Sequence, residues 1–209
     1  MAEEPIVYIR QHGEQPIPVT ARIEWLSDGS IKPCLYWTPD GGCYTILPDY
    51  KCVMLAHLKD KAEGLRYTVH AEPAETLESG YGRGAVRQDA YLYFADNRFC
   101  GRNFIDGRYG HAGKEYIPVT MDVFPNGDYE LCCFWVKGLR YTVEKTIAVE
   151  PRSTFRAGGV GLYHKVKARQ VNADNDDDPN PEKSIRRTAG LYFEVNKWFV
   201  AVGEGDSVS

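Results

Sequence analysis

The chain has 209 residues, 43% of them hydrophobic and 26% charged, with a formal net charge of -4. That is too apolar for a disordered chain and too close to neutral for a polycation, since residues 1–103 carry -3 and residues 104–209 carry -1. The length fits one large domain or two small ones, so internal similarity has to decide the count.

Residues 1–16 read as an N-terminal arm. They are acidic and lack the long apolar stretch of a signal peptide or membrane span, so the expectation is a cytoplasmic protein with no membrane partner. In that compartment Cys34, Cys43, Cys52, Cys100, Cys132 and Cys133 are expected as thiols and not as a disulfide framework.

Ile-Pro-Val-Thr at 17–20 returns at 117–120, and the likeness continues. Cys34 and Trp37 lie over Cys132 and Trp135, Gly64, Leu65 and Val69 over Gly161, Leu162 and Val166, and Leu92, Tyr93 and Phe94 over Leu191, Tyr192 and Phe193. The shared positions are aromatic, aliphatic or glycine, the types that fill cores and make turns, so two copies of one architecture are expected. The first module is bounded at 17–102 and the second at 117–201, with a Gly-rich connector at 103–116 and a tail at 202–209.

Along the first module the period is two. Val19, Ala21, Ile23 and Trp25 alternate with polar residues, and Asp28-Gly29 supplies a hairpin turn. The next strand runs to Trp37, and a third carries Tyr44, Thr45 and Ile46. Residues 53–61 are allowed at most one turn of helix. A fourth strand carries Leu65, Tyr67 and Val69, and residues 91–94 form a last hairpin with Phe99 and Cys100. The second module repeats this, with Asn126-Gly127 at the first turn and residues 191–193 and 198–200 in the last hairpin. The expected fold is all-β: two tandem small antiparallel barrels or strongly bent sheets, SH3-like or OB-like, because closure removes aggregation-prone edges.

The DG or NG turn, the Trp, the G-x-x-Y strand, the A-G-G-x-G-L segment at 157–162 and the L-Y-F-x-x-N-x-[WF] pattern resemble small uncharacterised bacterial β domains. The resemblance covers most of the second module and less of the first. It implies no activity, cofactor or site residue.

Candidate chemistry concentrates in residues 151–170, with five Lys or Arg, one His and no acid. On a strand, Tyr163, Lys165, Lys167 and Arg169 share one face, and Arg152 and Arg156 lie nearby. A ring beside a row of cations can stack a base and follow a phosphate backbone. A solvated strand face has the same pattern, and it is the favoured reading of the segment taken alone. Tyr81, Arg83 and Arg87 in the glycine-rich loop 78–89 form a second candidate contact, against the plainer account of a flexible hairpin loop. The acidic run 172–184 lacks the glycine and glutamate spacing of a calcium loop. Cysteines at 34, 43 and 52 are spaced too widely for a zinc knuckle, and Gly158 to Gly161 lack the Lys-Ser/Thr of a phosphate loop. His164 is expected to face inward. No nucleophile elbow, metal-binding helix or matched pair of carboxylates appears, and no cofactor is expected.

The expectation is a non-catalytic binding protein with a macromolecular partner, nucleic acid foremost. The alternatives are a protein-interaction or inhibitor module, of the kind mobile elements encode, that uses exposed aromatics and the acidic loop, or an enzyme whose site is assembled from scattered loop residues.

Overall fold

A computed structural model describes residues 5–11, 13–59, 62–74, 87–99, 114–154, 159–171, 185–194 and 196–201. The protein is all-β, and the strand pairings are antiparallel. It forms two compact units, neither of which is one continuous stretch of chain. The first comprises Met1–Glu24, Ile31–Gly101 and Asp122–Glu130; the second comprises Trp25–Ser30, Arg102–Met121 and Leu131–Ser209. Each unit therefore takes in the hairpin turn of the other half of the sequence.

The strands associated with the first unit are β1 (Val7–Arg10), β2 (Ile17–Pro18), β3 (Thr20–Trp25), β4 (Ile31–Trp37), β5 (Cys43–Ile46), β6 (Lys51–Lys59), β7 (Ala62–Pro73) and β8 (Gln88–Phe94). Their spatial order is β2-β1-β8-β7-β5-β4-β3, and β6 pairs with β7. Those of the second are β9 (Lys114–Tyr116), β10 (Val119–Val123), β11 (Tyr129–Val136), β12 (Leu139–Thr154), β13 (Gly159–Val171), β14 (Arg186–Glu194) and β15 (Lys197–Ala201), in the order β10-β11-β12-β13-β14-β15-β9. The sheet is not closed into a barrel, because the strand path ends at β2 and at β9.

At the repeated tetrapeptide one strand changes neighbours. Residues 17–25 give their start, β2, to β1 and their remainder, β3, to β4. Proline has no N–H for a ladder, so it suits a corner where a strand changes neighbours. Pro18 stands at that corner, and Val19 donates its N–H to the Val7 carbonyl at 3.2 Å. In the second unit Pro118 holds the same place: Ile117 donates to the Trp198 carbonyl at 3.0 Å, and Pro118 accepts from Trp135 at 3.2 Å.

The turns obey local chemistry. Gly29 donates to the Leu26 carbonyl and Leu26 to the Ser30 carbonyl, while Gly127, Phe124 and Asp128 repeat the arrangement. These are three-residue loops that need a left-handed residue last, and Gly29 (φ 88°) and Gly127 (φ 85°) supply it. In the second unit the Trp25 indole donates to the Asn196 carbonyl at 2.9 Å, and the Asn196 amide donates to the Gly29 carbonyl at 2.9 Å. In the first unit the Ile6 and Val7 amides donate to the Pro125 carbonyl, and Arg98 donates to the Gly127 carbonyl at 3.1 Å.

The core of the first unit is the inward half of each alternation, including Val7, Ile9, Ile23, Tyr36, Tyr67, Leu92 and Phe94. Tyr67 satisfies its buried hydroxyl by donating to the Ile31 carbonyl at 2.8 Å. That of the second unit includes Val119, Met121, Phe134, His164, Val166, Leu191 and Trp198.

Three sequence expectations change. Residues 51–59 form strand β6 and not a helical turn, because pairing with β7 opposes Met54 to Leu65 and Cys52 to Tyr67. The N-terminal segment is more than an arm, since Val7–Arg10 pairs with both β8 and β2. Phe99 does not return as a strand and lies in a 3-10 turn, Asn97–Phe99. In the second unit β15 lies between β14 and β9; in the first, β1 fills the corresponding slot between β8 and β2 from the other end of the chain.

Candidate binding surfaces

The alternation expected for β13 holds. His164, Val166 and Ala168 are buried, whereas Lys165 and Lys167 are exposed and Arg169 is half-buried. Tyr163 is the exception. It lies on the outer face yet is only 4% exposed, in a cluster with Tyr192 and Phe199 that Tyr116 packs against. Its ring fills the space over Gly190, where an added Cβ would meet Tyr163 Cε2 at 2.6 Å. The Arg152 guanidinium covers it at 4.5 Å. Tyr163 is thus a structural ring and not an open stacking platform, and Arg152 is committed to covering it.

Register brings more cations to this face than β13 alone supplies. Lys167 lies directly opposite Lys145 on β12, and Arg169 directly opposite Arg186 on β14. With Lys165, five cations from three adjacent strands share one face. Among the described residues no carboxylate pairs with Lys145, Lys165 or Lys167; Arg186 meets Glu144 at 3.1 Å. Directly opposed like charges destabilise a strand pair, by roughly 0.2–1 kcal/mol each. Among the described residues no carboxylate offsets the Lys145–Lys167 pair, whereas Glu144 offsets part of the charge at Arg169 and Arg186. Sequence reasoning missed Lys145 and Arg186 because the pairing register, and not local spacing, places them there.

Arg87 is half committed: it donates to Asp49 at 2.8 Å and lies 3.8 Å from Asp89. Tyr81, Arg83 and Arg156 lie outside the described residues, as does the acidic run 172–184.

The corresponding face of the first unit differs in kind. One rung runs Tyr8, Tyr93, Arg66 and Val53, and the next runs Arg10, Tyr91, Thr68 and Lys51. The three tyrosines are half-buried, with Tyr8 and Tyr93 stacked at 4.7 Å and the Arg66 guanidinium 5.2 Å from the Tyr91 ring. A third rung ends this area, where His70 Nδ1 and Asp89 Oδ1 are 2.6 Å apart.

Inside the second unit, burial pulls the His164 pKa down to about 4, so its imidazole is neutral near pH 7, with its ring 4.9 Å from that of Trp198. Cys34, Cys43, Cys52, Cys132 and Cys133 form no disulfide, and burial pushes the Cys34 and Cys52 thiols up, away from the reactive thiolate. Among the described residues no three His, Cys, Asp or Glu side chains gather at a metal-binding distance, and no helix is long and apolar enough to cross a membrane.

Comparison with known proteins finds no family model, no curated protein and no solved structure that matches this chain. The functional reading therefore rests on fold and surface chemistry.

Proposed function

We propose that this protein is a non-catalytic macromolecule-binding protein built from a duplicated β unit, and that the outer face of β12, β13 and β14 binds the phosphate backbone of a nucleic acid. One observation carries the reading: the like-charge pair Lys145 with Lys167, on the same face as Lys165, Arg169 and Arg186, in a chain whose net charge is -4. A polyanion laid along these rungs turns mutual repulsion into shared attraction and releases its condensed counterions. The matching corners at Pro18 and Pro118 and the matching turns at Gly29 and Gly127 support duplication of one SH3-like or OB-like ancestor. Free thiols at the five cysteines among the described residues suit a reducing, cytoplasmic setting.

The test is a titration of a labelled oligonucleotide at several salt concentrations. Five phosphate contacts give a log–log salt slope of about -3.5 on a single strand. Lys165→Glu with Lys167→Glu should weaken binding at least tenfold and flatten the slope by about 0.7 per lost contact. Binding indifferent to salt, or unchanged by the pair, overturns the reading.

A further inference from the structure

We infer that the outer face of β1, β8 and β7 in the first unit is a second binding site, and that it takes the unstacked bases of a single-stranded nucleic acid. The inference extends the backbone-binding reading of the second unit, and it rests on nucleic acid being the ligand. Three observations point to it. Tyr8, Tyr91 and Tyr93 occupy two consecutive rungs on neighbouring strands, and all three are only partly buried, with one face of Tyr8 and Tyr93 taken by their mutual stack and one face of Tyr91 by Arg66. The counterparts of Tyr93 and Tyr8 in the second unit, Tyr192 and Phe199, are buried in a closed cluster, and that of Tyr91 is Gly190. A ring needed only for packing has no cause to stay open on one unit and shut on the other.

The second observation is charge. Arg10, Lys51 and Arg66 lie on the same two rungs as the tyrosines, and among the described residues no carboxylate pairs with any of the three. The third is how Arg66 is held. Its guanidinium sits over Tyr91 and its Nε is buried without a hydrogen-bond acceptor among the described residues. A guanidinium fixed against a ring by its face, and not by an ion pair, keeps its terminal N–H groups, though not the buried Nε, for an incoming acceptor. Half-open aromatic rings bordered by unneutralised cations suit a ligand with flat faces and negative charge, and single-stranded nucleic acid has both. Duplex bases are already stacked on each other, so the face discriminates between the two forms.

The experiment uses the full chain and three probes: fluorescein-labelled dT20, the dA20·dT20 duplex, and heparin, a polyanion without bases. Tyr91→Leu with Tyr93→Leu keeps apolar bulk but removes the rings; Tyr91→Phe with Tyr93→Phe keeps both. The expected result is dT20 affinity reduced about tenfold or more by the leucine pair and retained by the phenylalanine pair, with heparin affinity unchanged by either. Circular dichroism and melting temperature confirm that the leucine pair is folded; if it is not, loss of dT20 affinity in Tyr93→Leu alone, with heparin affinity unchanged, decides in favour. Unchanged dT20 binding in the leucine pair, or in Tyr93→Leu where that variant decides, overturns the inference even if Lys165→Glu with Lys167→Glu abolishes heparin binding. Heparin affinity falling in step with dT20 assigns the face to sugar rings and overturns it too. Conversely, ring-dependent dT20 binding that ignores the lysine variants leaves this site standing while the proposed backbone site falls.

Discussion

The same sheet face is built in opposite ways in the two units. At the position where the second unit has Tyr163 the first has Arg66, and where the second has Gly190 the first has Tyr91. In the second unit an aromatic ring leans over a glycine; in the first a guanidinium leans over an aromatic ring. One exchange closes the rings into a core-like cluster and leaves the charge to the rungs beyond. The other leaves the rings half-open and the charge beside them. One backbone thus presents two surfaces, because a face of an antiparallel sheet is specified by cross-strand pairs and not by single strands.

The slot beside that face shows the widest divergence, and breaking it should have the largest effect. β1 inserts Val7 and Ile9, both almost fully buried, where the second unit has β15 with Trp198 and Phe199. Burying two such aliphatic side chains contributes about 3–6 kcal/mol, comparable with the whole stability of a small domain. Deleting residues 1–10 should therefore lose native hydrogen-exchange protection across β8 and β7. Protection retained there would mean that β1 is an accessory strand. Cutting the connector should also yield fragments less stable than the intact chain, since each unit incorporates the other half's hairpin turn.

Acid should distinguish the two cores next. Tyr67 and His164 occupy corresponding buried positions, and only the histidine titrates in mild acid. With the folded pKa near 4 and an unfolded value of about 6.5, the unfolded chain binds the extra proton first. Stability is then full above pH ~6.5 and falls as pH drops toward 4, by up to about 3 kcal/mol. The second unit should lose exchange protection before the first. His164→Tyr, which imports the first unit's residue, should remove that pH dependence; a slope that survives the substitution would assign it to other groups.

Gly190→Ala sharpens the packing side of the comparison. The added methyl overlaps the Tyr163 ring and should destabilise the protein by about 1–3 kcal/mol, read as a lowered denaturant midpoint. Tyr91→Ala at the corresponding site of the first unit trims a half-exposed ring and should cost less. Equal losses would show that both faces are packed alike.

These contrasts also mark what the sequence could reveal. Alternation along residues 163–169 was legible because a strand's period is fixed by its own backbone, and the turns at Gly29 and Gly127 because left-handed geometry demands glycine. The burial of Tyr163 was not legible, since it depends on Gly190 one strand away. Lys145 and Arg186 stayed hidden for the same reason, and two bulges in β12, around Glu144 and Ile147, shift its register further. The aligned repeat placed Phe99 in the returning strand. The chain supplies β1 from the N-terminus instead, a choice between two segments competing for one slot that no local pattern records.

The smallest effect bears most directly on function. Lys145→Glu sets a carboxylate opposite Lys167 and converts a repulsive rung into an attractive one. At low ionic strength this should stabilise the protein by about 0.2–1 kcal/mol, and the gain should vanish near 1 M salt, where the screening length is about 3 Å. Oligonucleotide affinity should fall in the same variant. Lys51→Glu, opposite the neutral Thr68 in the first unit, should bring no comparable gain in stability. A variant that is more stable and binds less well identifies the Lys145–Lys167 rung as a cost retained for an anion. A variant no more stable than the parent means the two lysines already avoid each other, and the strongest reason for reading this face as a backbone site is gone.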